Sequence, residues 1–256
     1  MTKITSEEIE SLYREKVNYY FSFLYITVSL NKLEEVIEDA SHTVEMFRNF
    51  RLQAVERFEK LPNEGLEYQA DCFLFSQCVL TSLYSMLNVL IQIKKLENSK
   101  AWDSLIDAYE YLGIAHAFLK KHPHNIPVSL KGVNDITAVC SLWEKAFFPQ
   151  LSYTSAGFTE TIGKCSVCFS NFACCEHVEG YIYHGVLCQR IDRCILEANH
   201  LALVKNPKDR RCIIATTHDK DGFQIDVFSR EKIEGETEPK PQEFKVKLMR
   251  FHGLSL

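Results

Sequence analysis

Residues 165–188 read CSVCFSNFACCEHVEGYIYHGVLC, and nowhere else in the chain do metal-binding side chains gather at metal-binding spacings. Cys165 and Cys168 form a C-x2-C pair, which lets one tight turn aim two thiolates at a single tetrahedral ion. Cys175 and His177 follow after a short loop, and Cys188 closes the segment. Between them, Tyr181 to Leu187 predicts a hairpin turning at His184-Gly185, where glycine can supply the positive φ such a turn needs. That hairpin would carry Cys188 back to the Cys165 knuckle. The pattern predicts a structural Zn²⁺ site. Five side chains, Cys165, Cys168, Cys175, His177 and Cys188, compete for four places, and Cys174 is a sixth candidate. The preferred set is Cys165, Cys168, Cys188 and one of Cys175 or His177, because the adjacent Cys174 and Cys175 cannot comfortably both face one ion. The competing reading is a group of reduced, half-buried thiols with no metal. A C-x2-C pair with a second cluster at close range is more specific than either half alone, which favours the metal. A RING-like arrangement does not fit, since the loop before Cys175 is too short and no second C-x2-C follows.

Read as C-x2-C, C-x-H-x2-G, Y-x-G-x2-C and L-A-L-V-K-N-P, segment 165–214 resembles a module of poorly characterised phage and bacterial proteins. The matching residues are Cys165, Cys168, Cys175, His177, Gly180, Tyr183, Gly185, Cys188 and the run Leu201 to Pro207. Two positions depart from it: Phe169 stands where such modules often have Gly, and Cys174 adds a thiol. The resemblance implies a small β-rich module and a prokaryotic or phage origin, with a phage-related or bacterial antiviral defence role, and no activity.

Downstream of the cysteines, period-two alternation predicts strands at Leu196 to Val204, Arg211 to Thr216, Phe223 to Phe228 and Phe244 to Met249, with a turn at Asp219 to Gly222. Lys245 and Lys247 give the last the decoration of an edge strand. Glu234 to Gln242 is too polar and Pro-bearing to pack and predicts a loop. Upstream, the pattern is helical. Thr5 with Glu8 has the capping-box form and starts a helix to about Val28. Asn31 with Glu34 restarts it, and Leu30, Leu33, Ile37, Ala40, Val44, Phe47, Ala54, Phe58 and Leu61 recur at steps of three and four, broken only by Arg51. Such a seam packs lengthwise on a neighbour, within the chain or across a homodimer, and the intramolecular use is the preferred one. Further helices are expected at Leu66 to Leu96, apolar nearly all round and therefore central, from a Ser99 cap to Lys120, and from Asp135 to Phe148. The fold class predicted is α+β: an antiparallel helical bundle over residues 1–150 followed by a small zinc-stabilised β-rich domain over 156–256.

The 256 residues carry a formal charge of −5, which argues against a protein that coats nucleic acid generally. A local grip on phosphate by Lys205, Lys208, Arg210 and Arg211 competes with a solvated loop, and Asp209 favours the loop. The start MTKITSEEIE lacks a basic n-region, and Tyr19 to Leu30 is too short to span a bilayer, so a cytoplasmic protein with reduced thiols and no membrane span is expected. No phosphate-cradling glycine motif, G-x-S-x-G elbow or H-E-x-x-H helix occurs. Glu176-His177 beside cysteine pairs resembles the start of an HNH nuclease, but the Asn199-His200 pair lies in an apparent strand where that family needs a helix. Arg193 and His200 match the R-x4-6-H pattern of HEPN ribonucleases, outside the helical region where that family builds it. His116, His122 and His124 near a helix end more often complement its dipole than bind metal. The function expected is a non-catalytic zinc-binding interaction or adaptor protein with a protein partner. The alternative is a metal-dependent nuclease of HNH type using His177, or of HEPN type.

Overall fold

A computed structural model of the chain describes residues 5–62, 66–122 and 130–233, and its architecture is α+β. The first helix, α1 (Ser6–Phe23), begins at the expected capping box: Thr5 Oγ1 accepts from the Glu8 N–H at 3.2 Å while Glu8 Oε2 accepts from the Thr5 N–H at 2.7 Å. It stops five residues short of Val28, because Ser29 caps α2 (Leu30–Lys60) by accepting from the Lys32 N–H. Ser29, two residues before the expected Asn31, is thus the restart signal. Helices α3 (Leu66–Lys94), α4 (Asn98–Lys121) and α5 (Leu130–Phe147) follow. Ser99 lies inside α4, whose cap position is Glu97, with no side-chain cap. Helix α5 starts five residues before Asp135.

The long seam is used inside the chain. Leu33, Ala40, Phe47 and Ala54 are buried along α2, which packs on α3, whereas Leu30 and Leu61 at its ends are exposed. Arg51, the break in the pattern, is itself buried at 7% exposure. Helix α3 is the axis of the bundle, in contact with α1, α2, α4 and α5. By length and composition it could cross a membrane, but 78% of its apolar window is buried in the fold, as befits a core helix. A polar network ties α1 to α2: Lys16 Nζ and Tyr20 Oη both donate to Asp39, and Tyr20 Oη lies 2.6 Å from Thr43 Oγ1.

The strand-rich segment consists, among the described residues, of two-stranded antiparallel sheets. Strand β1 (Tyr153–Glu160), which alternation did not reveal, pairs with β6 (Ile195–Val204); β2 (Lys164–Cys165) pairs with β5 (Arg190–Ile191). The expected hairpin is β3 (Ile182–Tyr183) and β4 (Val186–Leu187), and the Asp219 turn joins β7 (Thr216–His218) to β8 (Gln224–Asp226). The strands expected at Arg211 to Thr216 and Phe223 to Phe228 are shortened to these two. Residues 211–215 instead run beside β1, where the Thr154 N–H donates to Cys212 O and the Ile214 N–H to Ser152 O. The strand expected at Phe244 to Met249 with Lys245 and Lys247, the Glu234 to Gln242 loop, and His124 lie outside the described residues.

Apolar side chains of this segment join the helical core. Ile182, Leu187, Ile213 and Val227 belong to the same buried cluster as the helix residues, and Phe148 meets Phe228 edge-to-face.

Candidate metal centre

The knuckle is built by backbone N–H groups aimed at sulfur. Cys165 Sγ accepts from the Val167 N–H at 3.4 Å, and the Phe169 N–H closes the turn onto Cys165 O at 2.9 Å. Closing it so tightly forces Phe169 to φ 58°, the left-handed region that glycine enters freely, so Phe169 performs a glycine's task at a conformational cost. Ser166 then clamps the knuckle to the returning strand: its hydroxyl donates to Leu187 O and accepts from the Gln189 N–H, both at 2.8 Å. A 3-10 turn at Phe172–Cys174, capped by Asn171 Oδ1 accepting from the Ala173 N–H, swings Cys175 and His177 back over the knuckle.

The result is a Cys3His cluster. The ligand atoms of Cys165, Cys168, Cys175 and His177 all lie within 4.8 Å of one another, close enough for all four to reach one ion. Both Cys175 and His177 take part, where the spacing alone left one or the other. Cys188 stands beside this set, fully buried, its Sγ 3.8 Å from Cys165 Sγ. Cys174 is exposed.

Two of the three thiols in this set are shifted toward thiolate, while burial raises Cys175. Burial pushes the Cys165 thiol up, but the N–H groups of Cys168 and Val167 and the neighbouring thiols outweigh it and bring the group down to about 7, so a large share is thiolate at neutral pH. The Ser170 N–H holds Cys168 below its usual value. Cys188 goes the other way: burial, then the adjacent Cys165, push it up to about 12. Its sulfur stands within hydrogen-bonding reach of the Cys165 sulfur, where it can support that ligand from outside the set of four. His177 Nδ1 is buried with no hydrogen-bond partner among the described residues, and its ring stands edge-on to Tyr183 at 4.7 Å. A buried ring nitrogen without a protein partner fits a metal-binding histidine. Three thiols and an imidazole are a donor set able to hold a metal ion.

No protein-family model, curated protein or solved structure matches this chain.

The hairpin returning Cys188 is anchored on the bundle. His184 and Gly185 both adopt positive φ, 53° and 71°, the requirement of a two-residue type I′ turn. The turn enters a seat between α2 and α3: the Gly185 N–H donates to Asp71 Oδ1 at 2.6 Å, and the His184 ring stacks on Phe58 at 4.9 Å. A Cβ on Gly185 would come within 2.8 Å of Val55 and 2.9 Å of Ala70. Lys121 Nζ sits over the Tyr183 ring at 4.4 Å. Sequence reasoning missed this seat. Its one signal is Asp71, the sole carboxylate after Glu67 in an apolar helix, since a buried acid must have a partner.

Other residues singled out for chemistry are otherwise engaged. Arg210 pairs with Glu144 and lies over the rings of Trp102 and Tyr109, whose hydroxyl also donates to Glu144; Trp102 Nε1 donates to Arg210 O at 2.9 Å. Arg211 reaches Asp107, Glu110 and Asp209. Both guanidiniums are thus committed to carboxylates, and only Lys205 and Lys208 of the basic group are exposed. Arg193 pairs with Glu160, and His200 lies over Gly157 on β1. His116 Nε2 is 3.1 Å from Thr137 Oγ1, and His122 packs on Phe118 and Tyr68.

Proposed function

We propose that the protein is a non-catalytic zinc-binding interaction protein, in which a structural Zn²⁺ bound by Cys165, Cys168, Cys175 and His177 orders the β-rich module carried on the helical bundle. The observation that carries this reading is the convergence of those four ligand atoms within 4.8 Å of one another. Three soft thiolates with an imidazole suit Zn²⁺ over the hard cations. The strands around the cluster are two residues long and the knuckle loop is largely exposed, so local packing is thin and a metal would supply on the order of 10 kcal/mol toward ordering it. Such a module serves a protein partner as a rigid surface. The setting we propose, phage-related or bacterial antiviral defence, rests on the resemblance of segment 165–214 alone.

The test is elemental analysis of protein purified without chelator or histidine tag, with about one zinc per chain expected. Cys165→Ser and Cys168→Ser should lose it. Cys188→Ser should retain it, because the four ligands of the proposed set are untouched. Metal content well below one per chain in the unmutated protein overturns the reading. Divalent-metal-dependent cleavage of DNA or RNA that His177→Ala abolishes, with zinc retained, would replace it with the nuclease alternative.

A further inference from the structure

The β1–β6 ribbon projects a strand that the rest of the described chain leaves half used. Strand β6 bonds to β1 along one edge, and no described residue pairs with the other. Its register slips twice. Gly157 faces His200 but Phe158 faces Ala198, and Thr159 faces Glu197 but Glu160 faces Ile195, so Asn199 and Leu196 are the extra residues of two β-bulges. Directly paired residues share a face of a sheet, so the bulges restore what plain alternation would lose. They put Ile195, Ala198, Leu201 and Leu203 on the same face as Ala156 and Phe158. Leu201 is 50% and Leu203 74% exposed on that face.

Bulges bend a strand, so the half of β6 before His200 is turned from a straight edge. The half from His200 to Val204 keeps an unbroken ladder with β1, through Gly157↔His200 to Tyr153↔Val204. Those five residues, His200, Leu201, Ala202, Leu203 and Val204, contain no lysine, no carboxylate and no proline. The usual devices that keep an exposed edge from pairing are therefore absent where the edge is straight.

We propose that two copies of this chain pair antiparallel through the edge of β6 at His200–Val204 that no described residue occupies, on a two-fold axis through Ala202. The edge is complementary to itself in this register. Leu201 of each copy falls opposite Leu203 of the other, so four leucines meet on one face, and the small Ala202 sits against its own copy at the axis. Lys205 falls opposite Asn199 of the second copy, so no like charges oppose. The two ribbons become one four-stranded sheet, which satisfies the outward backbone groups of β6 and brings Leu201 of each copy into lateral contact with Leu203 of the other.

The experiment is light scattering or sedimentation of the full chain at tens of micromolar, where twice the 29.6 kDa chain mass is expected. Leu203→Lys and Leu201→Glu should each weaken the dimer roughly tenfold or more, by setting a charge against the leucine opposite. Both positions are at least half exposed, and an unchanged helical circular dichroism spectrum will show that each variant folds. The double variant places the new carboxylate of each copy opposite the new ammonium of the other, twice across the axis, and should regain the dimer. A monomeric unmutated chain overturns the proposal. So does a dimer indifferent to both single substitutions, which would point to another surface, or a double variant no better than the singles.

Discussion

Phe169 shows how a single residue bears the strain of a metal knuckle. Its backbone sits at φ 58° because the Cys165 turn must close, while its side chain is 68% exposed and contributes little packing. Replacement by glycine removes the left-handed penalty at small cost in contacts, so Phe169→Gly should stabilise the metal-loaded module by about 1 kcal/mol. The expected readout is a higher melting temperature, together with slower zinc loss to a competing chelator. The departure from glycine at this position was visible in the sequence, whereas its consequence needed the backbone. The cysteines were equally visible, but two of the positions competing for the site were sorted only by the 3-10 turn that swings Cys175 and His177 inward together, leaving Cys188 beside Cys165.

Among the elements, the β3–β4 hairpin joins the metal module to the bundle, and Gly185 is where its backbone comes tightest against Val55 and Ala70. An alanine there would keep φ near 71° and push a methyl into Val55 and Ala70, neither of which is a flexible side-chain end. Gly185→Ala should therefore cost about 2–4 kcal/mol, the sum of a left-handed penalty and overpacking. Chemical denaturation should show this loss, and hydrogen exchange should show the hairpin amides opening before those of α3. Helices were more legible than strands. The seam of α2 could be read because a 3.6-residue period repeated over 31 residues is hard to mistake. Strand β1, YTSAGFTE, escaped because its alternation is weak and its pairing partner lies more than thirty residues away.

At the scale of the whole molecule, Asp71 makes the docking of module on bundle sensitive to pH. Burial raises its carboxyl to about 6, partly opposed by the Gly185 N–H. An acid with a raised folded-state pKa favours the fold most below its unfolded value near 3.8, and that contribution is lost as pH climbs through 6. Asp71→Asn keeps an acceptor for the Gly185 N–H without a charge to bury. The variant should match the unmutated protein near pH 4 and exceed it above pH 6, by up to about 3 kcal/mol. Urea denaturation across that range checks it. Zinc binding opposes this trend, since thiolates are lost in acid, so the comparison belongs at saturating metal, or with metal absent from both proteins. Metal removal by chelator should disorder the knuckle at residues 165–177 while far-ultraviolet circular dichroism keeps its helical signal, because Cys165, Cys168, Cys175 and His177 lie outside the buried core that the helices share with Ile182 and Leu187.

By itself the sequence determined what depends on local period and short spacing: five helices in order, a capping box at Thr5, a hairpin at His184-Gly185 and a thiol-rich knuckle. These follow from forces that act within a few residues of one another. Tertiary structure alone decided what depends on residues distant in the chain. It set which four ligands converge, and it spent Arg210 and Arg211 on carboxylates of α4 and α5. It seated Gly185 against an acid 114 residues earlier, and left one edge of β6 without a partner among the described residues. A charge or a glycine reads the same in a sequence whether it faces water or a neighbouring helix. Only the packed chain determines the burial that fixes its energy.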